Sequence, residues 1–254
     1  LMSNKTKEGN HVFPLNVVLD QDDEQRSLGD AEIRPNFFAA FLNQLATAFD
    51  LPQMKPHGLP RGVTPEDVFH YIYAVLHSPS YRNRYAEFLK IDFPRLPLTG
   101  NLEQFRALAR LGGELTALHL LDSPRLDRPI AELIGVGHPE VEKISWSGNT
   151  VWVDKAQTTG FRGVREDVWN FHIGAYQVCE KWLKDRKGST LTGEDVALYQ
   201  RIVVALAETI RRRRSRTEEL ARPQATGTAG LRLTVQARDP VCGMSVQIAA
   251  ARYR

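Results

Sequence analysis

Apolar residues along this chain recur mostly at helical spacing, with a few short alternating stretches. The pattern predicts an α+β fold, mainly helical, with at least one β-hairpin. HVFPLNVVLD reads as a short strand, and the acidic QDDEQRSLGD after it as a loop. RPNFFAAFLNQLATAFDLP then sets Phe37, Phe41, Leu45 and Phe49 on one helical face. Pro52, Pro56, Gly58 and Pro60 interrupt the periodicity, so LPQMKPHGLPRGV is expected to be a loop. At Thr64 the start signals of a helix coincide: a capping hydroxyl, Pro65 in the first turn, and the acids Glu66 and Asp67 at the positive end of the dipole. Val68, Ile72, Val75 and Leu76 form its expected core stripe, widened by Phe69 and Tyr73. Ser78-Pro79 closes it and opens a second helix, with Tyr81, Tyr85, Phe88 and Leu89 inside and Arg82, Arg84, Glu87 and Lys90 outside.

After the extended DFPRLPL, Asn101 caps a helix with Phe105, Leu108, Leu111, Leu115 and Leu118 inside. Gly112-Gly113 in that helix predicts a close approach by a neighbour, or a kink. Between about 140 and 165 the texture changes. KISW and TVWVD alternate around Ser147-Gly148-Asn149 as a hairpin does, and the polar KAQTTGFRGV trails from it. REDVWNFHIGAYQVCEKWLKDRKG reads as one helix buried on more than one side through Val168, Trp169, Ile173, Tyr176 and Trp182. A last helix runs from a Thr192 cap through Val196, Tyr199, Ile202, Val203, Leu206 and Ile210 into RRRRSR. RPQATGTAGLRL has linker composition, and RDPVCGMSV follows it as a separate fragment.

Composition narrows this picture only a little. At 254 residues there is room for one large domain or two modest ones. No apolar run approaches the roughly 18 residues of a membrane span, and no apolar leader follows the first lysines. Two cysteines, Cys179 and Cys242, make no disulfide framework, which fits a reducing cytoplasm. Cys179 sits among apolar helix positions and is expected to be a small buried hydrophobe. A net charge of +3 is too small to argue for nucleic acid; only an uneven distribution would.

Candidate chemistry is sparse. His70 and His77 lie seven residues apart on one helix, whereas a zinc site needs a closer pair and further ligands. Their expected role, with the neighbouring tyrosines, is scaffold. There is no G-x-x-x-x-G-K-[ST] phosphate loop, and the G-x-G of IGVGHP lacks its third glycine. An Asn-Pro-Pro-aromatic loop for a flipped base is absent, as is a nuclease-like grouping of carboxylates and lysine. No catalytic residue and no metal site are therefore assigned. The polar run after the hairpin holds Lys155, Gln157, Thr158, Arg162 and Arg165, donors of the kind that reach phosphates and base edges. A second basic set contains Arg82 and Arg84. Composition alone favours solvated surface over DNA contact for both sets, and the arginines at 211–214 read as a helix end or a phosphate contact.

TPEDVFHYIYAVLHSPSYRNRYAEFLKIDFPRLPL resembles a block in the C-terminal part of type ISP restriction-modification enzymes. VWVDKAQTTGFRGVREDVWNFHIGAYQVCEKWLKDRKGSTLTGEDVALYQRIVVALAETI resembles another, and FPLNVVLD and RPNFFAAFLNQLATAFDLP extend the likeness over roughly residues 11–213. In that family one polypeptide joins a nuclease, a helicase-like motor, an adenine N6-methyltransferase and a C-terminal target-recognition region. The resemblance implies only the last of these, a specificity domain at 11–220 that binds double-stranded DNA beside the methyltransferase and motor portions. The whole enzyme would use S-adenosylmethionine, ATP and magnesium, and this part none of them. Two other readings stay open: an adenine-specific methyltransferase that works when joined to its other half, and a non-binding structural remnant. Residues 221–238 are expected to be a linker. RDPVCGMSV with AARYR, at 239–254, is similar to the start of the YHS metal-associated domain, although Cys242 is its one cysteine and a single thiolate holds a metal poorly.

Overall fold

The computed structural model describes residues 14–19, 32–90, 94, 96–220, 235–238 and 245–248. The chain divides into two compact units, Leu1–Gly113 with Pro223–Arg254, and Glu114–Arg222.

In the first unit β1 (Asn16–Leu19) pairs antiparallel with β2 (Glu32–Pro35), a strand the sequence pattern concealed. That helix, α1 (Ala39–Phe49), buries Phe41, Leu42, Leu45 and Phe49 and stops at Asp50, which takes a left-handed φ of 52°. The expected loop contains a two-residue pair, β3 (Gln53–Met54) and β4 (Leu59–Pro60). Helix α2 (Pro65–Leu76) starts as its sequence foretells. The Asp67 amide donates to the Thr64 hydroxyl at 3.1 Å, and the Thr64 amide donates to the Asp67 carboxylate at 2.9 Å.

The buried stripe of α2 is rotated from the one expected. Val68, Tyr71, Ala74 and Val75 face the core, while Phe69 is 38% exposed. The rotation follows from Tyr71, whose ring stacks on Phe105 at 4.9 Å and whose hydroxyl donates to the Pro97 carbonyl at 2.6 Å. Burial pushes the Tyr71 phenol up to about 12, so it stays a donor at any physiological pH. Helix α3 (Pro79–Arg84) ends sooner than its pattern suggested, and Phe88, expected inside, is 61% exposed on a 3₁₀ turn.

Helix α4 (Leu102–His119) begins at an Asn101 side chain that accepts the Gln104 amide. A Cβ on Gly112 would stand 1.8 Å from the His70 carbonyl oxygen, so the backbone of α2 approaches where only glycine fits. Of the two outcomes the sequence allowed here, close approach is the one realised. It also gives His70 a packing role.

In the second unit β5 (Glu132–Ile134), β6 (Ser145–Ser147), β7 (Thr150–Trp152) and β8 (Gly160–Arg162) form one antiparallel sheet in the order β5-β8-β7-β6. The β6–β7 turn has both Gly148 and Asn149 at positive φ, 56° and 57°, the arrangement a two-residue hairpin needs to follow the strand twist. Beyond it the chain contains α5 (Glu166–Trp169), β9 (His172–Ile173), β10 (Tyr176–Gln177), α6 (Val178–Lys184) and α7 (Gly193–Leu220). The single helix expected at 165–188 is thus two helices separated by a small hairpin. Gly174 turns that hairpin at φ 58°, and Ile173 and Tyr176, expected in the core, are 60% and 55% exposed.

One face of the sheet is covered by α7. Phe161 and Tyr199 are both fully buried with ring centroids 4.4 Å apart, and Val151, Val168, Cys179 and Val203 close around them. Truncating Phe161 to alanine would cost about 3–5 kcal/mol. Burial pushes the Cys179 thiol up to about 12, so it is a packed hydrophobe, as its sequence neighbours suggested.

Val235–Arg238, within the stretch expected to be a linker, pairs with Ser245–Ile248 as β11 and β12. Cys242 and most of the fragment at 239–254 lie outside the described residues. Among the described residues no helix is long and apolar enough to cross a membrane, and no group of three His, Cys, Asp or Glu is placed to hold a metal ion.

Candidate nucleic-acid interface

Strand alternation assigns the sheet two faces. Val151 and Val153 point inward and are fully buried, so Trp152 between them faces outward. In the ladder Ser145 lies opposite Trp152 and Trp152 opposite Gly160, while Ser147 lies opposite Thr150 and Thr150 opposite Arg162. The outer face therefore carries Ser145, Ser147, Thr150, Trp152 and Arg162, Thr150 itself being buried, with Glu132 beyond Arg162 on β5. Gly160 is forced at its position, because a Cβ there would meet the Val151 carbonyl at 2.4 Å.

The polar run after β7, expected to be loose, is tied down by one carboxylate. Both Asp154 oxygens accept from the Thr158 amide at 3.1 Å, one accepts the Thr158 hydroxyl at 2.6 Å, and one accepts the Thr159 amide at 3.2 Å. Desolvation alone would raise the Asp154 pKa. The bonds from the Thr158 hydroxyl and from the amides of Thr159, Thr158 and Asp154 itself together outweigh it and hold the pKa below the usual carboxylate value.

The clamp bends the loop so that Gln157 sits at φ 55°. Asp50 and Asn149 share that left-handed conformation, but they are residue types that tolerate it, and Leu121 adopts it to end α4. Glutamine gains nothing from it and pays about 1–2 kcal/mol. Its side chain is exposed, and its amide nitrogen donates to the Ser145 hydroxyl at 3.1 Å.

The other sequence-nominated residues divide sharply. Lys155 is exposed on the same loop, and Thr158 is spent on Asp154. Arg162 donates to Glu132 at 2.7 Å, but both partners are more than 60% exposed, so the pair contributes about 0–1 kcal/mol and yields readily to another anion. Arg165 holds both Asp167 oxygens at 3.0 and 3.1 Å beside the first turn of α5. Arg82 and Arg84 are exposed on α3, in the other unit, with Arg84 5.9 Å from the Tyr85 ring centroid. The structure thus gathers Lys155, Gln157, Thr158 and Arg162 on or beside one sheet face.

Sequence reasoning passed over Ser145, Ser147 and Trp152. The Trp152 indole N–H donates to the Ser147 hydroxyl at 2.8 Å, so each serine of β6 holds one outward side chain. The signal was present in the alternation of SWSGNTVWV, which assigns Trp152 to the face opposite the core.

The arginines at 211–213 were expected to end their helix, but α7 runs on to Leu220 and has no basic residue in its last turn; inside the helix they behave otherwise. Arg212 is buried, 2.9 Å from Glu114 and 3.8 Å from Glu208. Arg211 bonds Glu208 at 2.8 Å, and the Arg213 guanidinium stands 4.7 Å from the centre of the Phe171 ring. The hydrogen bond from Arg211 holds the Glu208 carboxyl below its usual range.

The family model described as "Type ISP C-terminal specificity domain" matches residues 1–221. Among solved structures, the ATP-dependent type ISP restriction-modification enzyme LlaBIII bound to DNA is similar to 79% of the chain, at 17% identity and a TM-score of 0.55. The DrdV–DNA complex, solved by electron cryomicroscopy, is similar over 79% of the chain at 22% identity and a TM-score of 0.56. At these identities the likeness concerns the fold. The matched region is 13% of the LlaBIII chain and 21% of the DrdV chain. No curated protein matches.

Proposed function

Because the chain belongs to the family of type ISP C-terminal specificity domains, we propose that it is the target-recognition module of a single-polypeptide restriction-modification enzyme. It binds double-stranded DNA and catalyses nothing by itself. In this reading methyl transfer, translocation and cleavage, with S-adenosylmethionine, ATP and magnesium, belong to other portions of such an enzyme. The fold shared with two DNA-bound structures supports the reading.

One observation carries the assignment of the site: the Asp154 clamp holds Gln157 and Lys155 in solvent at the rim of the outer sheet face. A surface loop kept at a conformational cost on an exposed glutamine presents a side chain for recognition. Lys155 and Arg162 supply the cations that phosphates require, while the exposed amide supplies paired donor and acceptor groups for a base edge. Arg82 and Arg84 are proposed as phosphate contacts of the first unit.

The test is equilibrium binding of the full chain to a randomised duplex pool across a salt series. Enrichment of one sequence, with affinity falling steeply as salt rises, is expected. A steep salt dependence without enrichment would leave phosphate contacts alone. Absence of binding at low salt by the folded chain would refute the proposal.

A further inference from the structure

Gln157 and Trp152 are both held by hydroxyls of the edge strand β6. Ser145 and Ser147 lie two residues apart on one face, about 7 Å along the strand. That separation fits within the roughly 12 Å width of the major groove. The serines also decide what each side chain still has to offer. A free glutamine amide carries two N–H donors and a carbonyl acceptor. With one N–H donated to Ser145, Gln157 presents one donor beside one acceptor in a fixed orientation.

Of the four bases, only adenine shows the complementary pair in the major groove, an N7 acceptor beside an N6 donor. Guanine shows two acceptors there, cytosine a donor alone and thymine an acceptor with a methyl group. Trp152 has its indole N–H occupied by Ser147, so its exposed part is apolar. The thymine methyl is the apolar group on that groove floor.

We propose that Gln157, aimed by Ser145, reads an adenine of the target in the major groove, and that Trp152 covers the methyl group of the paired thymine. The proposal rests on the target-recognition reading above and names the base pair read by that site. Gln157 and Trp152 touch the bases, and Ser145 is a positioning residue.

The experiment uses the full chain and the duplex it enriches, with adenines replaced singly by 7-deazaadenine and thymines by uracil. At one A·T pair, 7-deazaadenine should weaken wild-type binding on the order of tenfold, and uracil opposite it by a few-fold. Gln157→Gly should bind both adenine forms alike, because the reading group is gone. Glycine suits the left-handed φ, so this variant keeps its fold. Ser145→Ala should reduce the 7-deazaadenine penalty at unchanged thermal stability, and Ser145→Thr, which retains a hydroxyl, should restore it.

An enriched sequence with no A·T pair that meets these conditions overturns this inference and leaves target recognition standing. So does a penalty that survives in Gln157→Gly. A wild-type chain that binds without enriching any sequence removes both.

Discussion

Residues 154–159 and residues 211–213 are two polar stretches of the same unit, and the fold treats them in opposite ways. In the first, Asp154 is turned inward onto Thr158 and Thr159, and Lys155 and Gln157 are left in solvent. In the second, a run dense in positive charge is taken up by the protein itself through Glu114, Glu208 and the ring of Phe171. Charge density along a chain therefore says little about charge available to a partner. Availability depends on which side chains the local geometry has already satisfied.

The largest effect expected from breaking this contrast is on stability. Arg212→Ala removes a buried cation from Glu114 and Glu208, while Glu208 keeps Arg211, and should cost about 2 kcal/mol in denaturant unfolding, with the enriched DNA sequence unchanged. Changed specificity in a folded Arg212→Ala chain would mean that the run is recognition surface after all. Asp154→Ala should act on both properties. It releases hydrogen bonds contributing about 1–2 kcal/mol and frees Gln157 to move, so thermal stability and sequence discrimination fall together.

The same carboxylate sets an acid limit. Its folded-state pKa lies below the unfolded value, so the clamp contributes fully above about pH 4. That contribution is lost as pH falls through the depressed folded pKa. Stability measured against pH should show this loss in the wild-type chain and not in Asp154→Asn. Lys155→Ala should weaken binding about equally on every duplex and lower the slope of log affinity against log salt by about one. Smallest of all, Glu132→Gln frees Arg162 from an exposed pair, shifting stability by less than about 1 kcal/mol and raising DNA affinity slightly at low salt.

Much of the architecture was readable from the chain because it is fixed locally. The Thr64 capping box, the Gly148-Asn149 hairpin turn and the Asn101 cap each depend on neighbours within a few residues. Gly112-Gly113 announced a close approach, and only the fold could say that His70 supplies it. What periodicity concealed were cases where tertiary contacts rotate or interrupt an element. Tyr71 turns α2 by stacking on Phe105, and the Gly174 turn splits one expected helix with a hairpin. The residues proposed for recognition, Lys155, Gln157 and Arg162, were legible as residue types. Their rigidity was not, since the Asp154 clamp and the two serines of β6 act through geometry that no spacing rule encodes.

The most direct test is a parallel selection of wild type and Gln157→Gly from one randomised duplex pool at moderate salt. The wild type should enrich one sequence. The variant should enrich the same sequence except at a single A·T position, where discrimination falls to the few-fold preference that Trp152 retains, with overall affinity otherwise kept by the phosphate contacts. Identical enrichment at every position by the two chains would contradict the proposal and move target reading away from the loop at 154–159.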